Sequence, residues 1–248
     1  MRILLLHGNR QTYEVFKGRI GALVNKLRKQ KHEVGGYDGP IKLELVEGDE
    51  ACTSSWWNRG YDELPSILEK LKDYHDKKFA FDGIIGFSQG AKLAYLLAQH
   101  GHRSEVFPFL KFVVLASCYH GHHPAAGASL GINEATESDP LMIPSLHVIG
   151  ELDKVVDPAS SERVARTFAD PKFHRHAGGH HLPMRSADLK VLVDFICSFD
   201  EPVLPPPPPA AAPLHPSQEA QDEQMDELTV LAEIFSDESE FLLEVRGT

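Results

Sequence analysis

The 248-residue chain has little of what marks membrane, secreted or nucleic-acid-binding proteins. Apolar residues nowhere run to 18 or more, so no segment supplies a transmembrane helix and no membrane span is expected. The start, Met1-Arg2-Ile3-Leu4-Leu5-Leu6-His7, reaches a polar residue too soon for a signal-peptide core, which also needs a small-residue cleavage site. Cysteine is scarce: Cys52, Cys118 and Cys197 are odd in number and lack C-x-x-C spacing, which argues against a disulfide framework or a zinc ribbon. A reduced, cytoplasmic setting is the expectation, with the nucleus left open. Basic residues are outnumbered, 25 Lys and Arg against 36 Asp and Glu, so no basic stripe is available for phosphate backbones and nucleic acid is not an expected partner.

The net charge of −11 is not spread evenly. Residues 201–248 hold 11 acids and a single base, Arg246, leaving 25 acids and 24 bases in residues 1–200. The body is close to neutral and the tail is a separate physical object. Pro202 and the run Pro205–Pro209 cannot enter a helix or a central strand, so 201–224 reads as a semi-rigid linker. Beyond it, Met225, Leu228, Leu231, Ala232 and Phe235 recur at helical spacing among acids. Residues 225–248 therefore read as an acidic amphipathic tail, one helix or disordered, that could serve a protein partner.

Residues 1–200 alternate short apolar runs with amphipathic stretches, which predicts an α/β domain. Strands are expected at Arg2–Leu6, Leu43–Val46, Gly83–Phe87, Phe112–Ser117, Leu146–Ile149 and Lys172–His176. Between them, helical spacing links Phe16, Ile20, Leu23, Val24 and Leu27; Leu64, Ile67, Leu68 and Leu71; Ala91 to Ala98; and Leu189, Leu192, Phe195, Ile196 and Phe199. No hairpin signals separate the strands, so the expectation is a doubly wound, mostly parallel six-stranded sheet without a large lid domain.

The densest chemical signal is Gly86-Phe87-Ser88-Gln89-Gly90, a G-x-S-x-G directly after a strand and directly before a helix. A serine on so sharp a turn needs small neighbours, because its backbone is strained and crowded by adjacent elements. It would stand at the C-terminal edge of the sheet, where open α/β sheets hold ligands. A serine hydroxyl needs a histidine base and an acid to orient that base, in the order Ser, acid, His on this fold. Asp153 follows the fifth strand, with Glu151 the next candidate acid, and Gly178-Gly179-His180-His181 follows the sixth. The residues themselves do not choose between His180 and His181. The backbone amides of Gln89, at the helix start, and Asn9, after Gly8, are candidate oxyanion donors. Trp56 and Trp57 are expected to wall an apolar substrate pocket. His7 reads as a loop anchor and Cys118 as a buried, inert thiol.

Fourteen histidines raise the question of a metal. The groups His120, His122, His123 and His174, His176, His180, His181 have neither the i, i+4 helical pair of a zincin nor a cysteine at ligand spacing. They read as solvated histidines; no metal and no cofactor is expected.

Together the segments LLLHGNRQ (4–11), SSWW (54–57), FDGIIGFSQGA (81–91), PSLHVIGELDKVV (144–156) and AGGHHLP (177–183) resemble the FSH-type serine hydrolases, a family of the α/β-hydrolase superfamily that includes the ovarian-cancer-associated member. The resemblance covers residues 1–200 and leaves out the proline-rich linker and acidic tail. It implies that Ser88 is the nucleophile, Asp153 the acid and His180, after the paired glycines, the base. It also implies a small cytosolic esterase or thioesterase. The expected activity is acyl-ester hydrolysis through an acyl-enzyme, with a carrier- or coenzyme A-bound thioester as the alternative substrate. The alternative of another kind is a non-catalytic binding module that works through its tail.

Overall fold

A computed structural model describes residues 1–44, 53–58, 62–104, 110–121 and 136–200. The chain divides between Glu201 and Pro202 into two units, and the second lies outside the described residues, as do Cys52, His122 and His123. The expected linker 201–224 and tail 225–248 therefore stay expectations.

In chain order the elements are β1 (Arg2–Leu6), α1 (Tyr13–Arg19), α2 (Gly21–Lys29), β2 (Glu33–Gly36), β3 (Ile41–Leu43), β4 (Thr53–Ser55), α3 (Leu64–Lys77), β5 (Gly83–Phe87), α4 (Gln89–Ser104), β6 (Phe112–Ala116), β7 (Ser145–Gly150), α5 (Pro158–Ala165), β8 (Pro171–His176) and α6 (Ser186–Cys197). Six strands form one parallel sheet in the order β2-β1-β5-β6-β7-β8. Strands β5 and β6 and residues Ile3–Leu6 of β1 are buried throughout, as strands covered on both faces must be. Alternation along β1 sends Ile3 and Leu5 to one core and Leu4 and Leu6 to the other. The first core takes Phe16, Leu23, Leu27, Leu189 and Ile196 from α1, α2 and α6; the second takes Leu71, Leu93, Leu97 and Val164 from α3, α4 and α5.

Helix starts follow local chemistry. Thr12 accepts the Val15 amide at the start of α1, and Asp157 accepts the Ala159 amide ahead of Pro158 in α5.

The expected second strand, Leu43–Val46, lies outside the described residues at 45 and 46, and Leu43 does not belong to the six-stranded sheet. The sheet's edge strand is Glu33–Gly36, whereas Ile41–Leu43 pairs antiparallel with Thr53–Ser55 in a separate two-stranded sheet. The sequence Glu-Val-Gly-Gly carries no apolar run because neighbouring rings supply its packing. A Cβ on Gly35 would lie 2.9 Å from the Phe79 ring, and one on Gly36 would overlap the Tyr13 ring at 1.9 Å. Hydrophobic periodicity cannot detect such a strand.

The chain leaves β1 for β2 on one side and returns to β5 on the other. The crevice between the carboxyl ends of β1 and β5 is thus the switch point where doubly wound sheets bind ligands.

Two glycines with opposite surroundings give a stability test. Gly18, within α1, has nothing within 4 Å of a built Cβ, so Gly18→Ala is expected to stabilise by about 0.5–1 kcal/mol through helix propensity. A Cβ on Gly90 would sit 2.1 Å from the Leu6 carbonyl oxygen, so Gly90→Ala is expected to destabilise by about 1–3 kcal/mol. Urea titration of both variants should give shifts of opposite sign.

Candidate active site

Strand β5 ends at Phe87 and α4 begins at Gln89, so Ser88 alone makes the turn between them. It adopts φ 54, a left-handed conformation uncommon for a residue with a side chain. Its own amide donates to the Ala116 carbonyl at 2.9 Å and its carbonyl accepts from Lys92 at 3.0 Å, so the turn is tied to β6 and to α4. The flanking glycines are required by space. A Cβ on Gly86 would come 2.5 Å from the Gly90 carbonyl oxygen, and Gly90 itself abuts β1. Gly8 completes the cradle, since its built Cβ would lie 2.9 Å from the Phe87 ring and 3.4 Å from Ser88 Cβ.

Facing Ser88 is His180, held on the loop after β8. With the ring proton on Nδ1, the Ser88 hydroxyl donates to His180 Nε2 at 3.0 Å and Nδ1 donates to Asp153 Oδ2 at 2.8 Å. Gly150, at the end of β7, lets the two loops meet: a Cβ there would be 2.4 Å from the Gly179 carbonyl oxygen. The structure therefore brings Ser88, His180 and Asp153 together. Glu151 is exposed, and His181 stacks edge-on against His176 with centroids 5.0 Å apart.

Asp153 is the most heavily bonded group in the site. Its side chain is 2% exposed. Oδ1 accepts the amides of Val155 and Val156, both at 2.9 Å, while Oδ2 accepts the Ser117 hydroxyl at 2.8 Å as well as His180. Burial pushes the carboxyl pKa upward, but the donors from Val156, His180, Val155 and Ser117 outweigh it, and the net shift is below the ordinary value. Ser117 is itself at φ 49; a serine following an apolar strand carries no distinguishing signal in the sequence.

A second network fixes the start of α4. The Gln89 Oε1 accepts from Ser55 Oγ and the Trp56 amide, and its Nε2 donates to the Trp57 carbonyl, all at 2.9 Å. This gives the SSWW segment, expected to wall a substrate pocket, a structural role. Trp56 and Trp57 are buried core residues, 0% and 4% exposed, with the Trp56 indole donating to the His7 carbonyl at 2.8 Å. They support the loop from inside because each bulky ring is worth more to the core than to a rim. His7 stacks on Trp56 at 4.8 Å, donates from Nδ1 to the Gly8 carbonyl and accepts the Gly39 amide on Nε2, the role of a loop anchor. Burial holds its pKa below the ordinary value, so it stays neutral.

Asn9 is exposed just after Gly8, and the Gln89 amide is the first of α4, among those with no acceptor inside the helix. Beside His180 opens a cavity of about 340 Å³. Its apolar lining comes from Phe16, Ile20, Phe87, Leu182 and Met184, and Gln11, Arg19 and His181 line it as well. Cys118 is fully buried, and burial drives its thiol up to about 12, which leaves it unreactive.

Residues 1–191 match the family model described as "Serine hydrolase (FSH1)". The chain belongs to that family. It is 31% identical to esterase OVCA2 of Bos taurus over 226 residues, covering 80% of this chain and 96% of that protein. To esterase OVCA2 of Homo sapiens it is 29% identical over 228 residues, covering 81% and 97%. Among solved structures, a Bacillus cereus carboxylesterase superposes with a TM-score of 0.55 at 21% identity, covering 79% of this chain and 88% of that one. A monoacylglycerol lipase of Paleococcus ferrophilus gives 0.55 at 15%, covering 79% and 94%. Such structural likenesses bear on the fold, an α/β hydrolase with a six-stranded parallel sheet. This serine hydrolase is an enzyme of the esterase class, and no helix among its described residues is long and apolar enough to cross a membrane.

The depressed Asp153 pKa gives the hydrolase a pH-dependent stability term. The carboxylate is stabilising above its unfolded value of about 4, and that contribution is lost as pH falls through the lower folded value. The melting-temperature gap between wild type and Asp153→Asn should be widest near neutral pH and narrow below about pH 4. A gap that stays constant through that range would contradict the assignment.

Proposed function

We propose that this hydrolase cleaves carboxylic acyl esters with an apolar acyl group, using Ser88 as nucleophile, His180 as general base and Asp153 as the acid that orients it. The observation that carries the reading is the single imidazole spanning Ser88 Oγ at 3.0 Å and Asp153 Oδ2 at 2.8 Å. His180 Nε2 takes the hydroxyl proton as Ser88 Oγ bonds to the ester carbonyl carbon. The carbonyl oxygen becomes an oxyanion, which accepts hydrogen bonds from the backbone amides of Asn9 and Gln89. His180 then protonates the leaving alkoxide, the alcohol departs, and an acyl-Ser88 ester remains. Water gives a proton to His180 and attacks that ester; His180 returns the proton to Ser88 Oγ as the acyl–oxygen bond breaks, which releases the acid and restores both residues.

Two features support an apolar acyl group. The cavity beside His180 is bounded mainly by Phe16, Ile20, Phe87, Leu182 and Met184. Leu152 and Val155, 67% and 71% exposed, flank Asp153 at the surface.

The test is steady-state hydrolysis of p-nitrophenyl esters of increasing chain length. Ser88→Ala is expected to abolish turnover without changing the circular dichroism spectrum. Ser117→Ala, which strips one charge-assisted bond from Asp153, is expected to lower kcat/KM roughly tenfold. Butyryl and longer acyl groups should outrun acetyl. Retained esterase activity in Ser88→Ala would overturn the proposal, and matched thioesters in the same assay report whether sulfur esters are also cleaved.

A further inference from the structure

At the opposite edge of the sheet, a histidine near the start of the chain meets two side chains from the end of the domain, their donor atoms facing one another. His32 immediately precedes β2, Cys197 ends α6, and Asp200 lies three residues beyond. His32 Nε2 is 3.5 Å from Cys197 Sγ and 3.6 Å from Asp200 Oδ2, and all three donor atoms lie within 4.8 Å of one another. Metal–ligand lengths of about 2.0 Å to nitrogen or oxygen and 2.3 Å to sulfur, at a tetrahedral angle, separate two ligand atoms by about 3.5 Å. Two edges of such a tetrahedron are already present.

We propose that His32, Cys197 and Asp200 bind a zinc ion through Nε2, Sγ and a carboxylate oxygen, with water completing the tetrahedron. The donor set is of the borderline-soft kind that zinc accepts and that calcium or magnesium does not. The His32 side chain is 1% exposed and Asp200 42%, so the imidazole is fixed while the carboxylate side stays open for entry and for the water. Burial keeps His32 below its ordinary pKa despite Asp200 and Asp82 nearby, leaving the ring uncharged as a ligand must be.

Zinc takes cysteine as the thiolate, so binding releases the Cys197 thiol proton.

The ion would tie the end of α6 to the start of β2, residues 165 positions apart in the chain and far from Ser88. Its expected effect is on stability, by linkage of metal binding to the folded state.

The experiment titrates the chelator-stripped full chain with zinc against a chromophoric chelator and, in parallel, with cobalt. One equivalent should bind, the melting temperature should rise, and the cobalt form should show a thiolate charge-transfer band. Cys197→Ser and Asp200→Asn should each weaken zinc binding at least tenfold, and Cys197→Ser should lose the band. Glu33→Gln, which removes an exposed neighbouring carboxylate, should bind as wild type. Failure of wild type to take up zinc would overturn the proposal. So would uptake that survives both substitutions, or a cobalt spectrum without the thiolate band, since either would place the ion on other histidines.

Discussion

The site depends on one constraint: Ser88 holds a left-handed backbone where β5, β1 and α4 approach too closely for any extra carbon. Gly86, Gly90 and Gly8 are each there because a Cβ would meet backbone or ring atoms, at 2.5, 2.1 and 2.9 Å respectively. The strain of one residue at positive φ, of order 1–3 kcal/mol, is offset by the buried strands on both sides. What the strain secures is direction. The hydroxyl leaves the sheet at the switch point between β1 and β5, where the loops after β7 and β8 can reach it.

Around this elbow the polar groups are held by bonds to the scaffold. Gln89 is fixed by three partners, Asp153 by four, and His7 by the Gly8 carbonyl and the Gly39 amide. Buried polar atoms left without partners would cost about 1–3 kcal/mol each, so these networks specify one arrangement of the loops. They also explain why SSWW and Gln89 belong together: the tryptophan loop grips the side chain of the residue whose amide begins α4.

Much of this was legible in the sequence, for physical reasons. Strands buried on both faces read as apolar runs, which is why β1, β5, β6 and β7 stood out. The elbow glycines sit inside one pentapeptide, and the serine, acid and histidine each follow a strand end. What stayed hidden depends on contacts between distant segments. Glu33–Gly36 is a strand because Phe79 and Tyr13 pack where its glycines have no side chains. Ser117 matters only through its bond to Asp153, and the grouping of His32, Cys197 and Asp200 appears only once the end of α6 meets the turn ahead of β2. Paired indoles suit a core as well as a pocket, and the burial of Trp56 and Trp57 is visible only in three dimensions.

The central claim is that one serine, Ser88, is activated by the fold. Labelling of the intact protein with a fluorophosphonate, followed by peptide mass mapping, tests it most directly, with heat-unfolded protein as control. The account predicts one adduct per chain, on the peptide containing Ser88, absent after unfolding and strongly reduced in His180→Ala. An adduct on another serine, or folded wild-type protein that takes up no label, would contradict it.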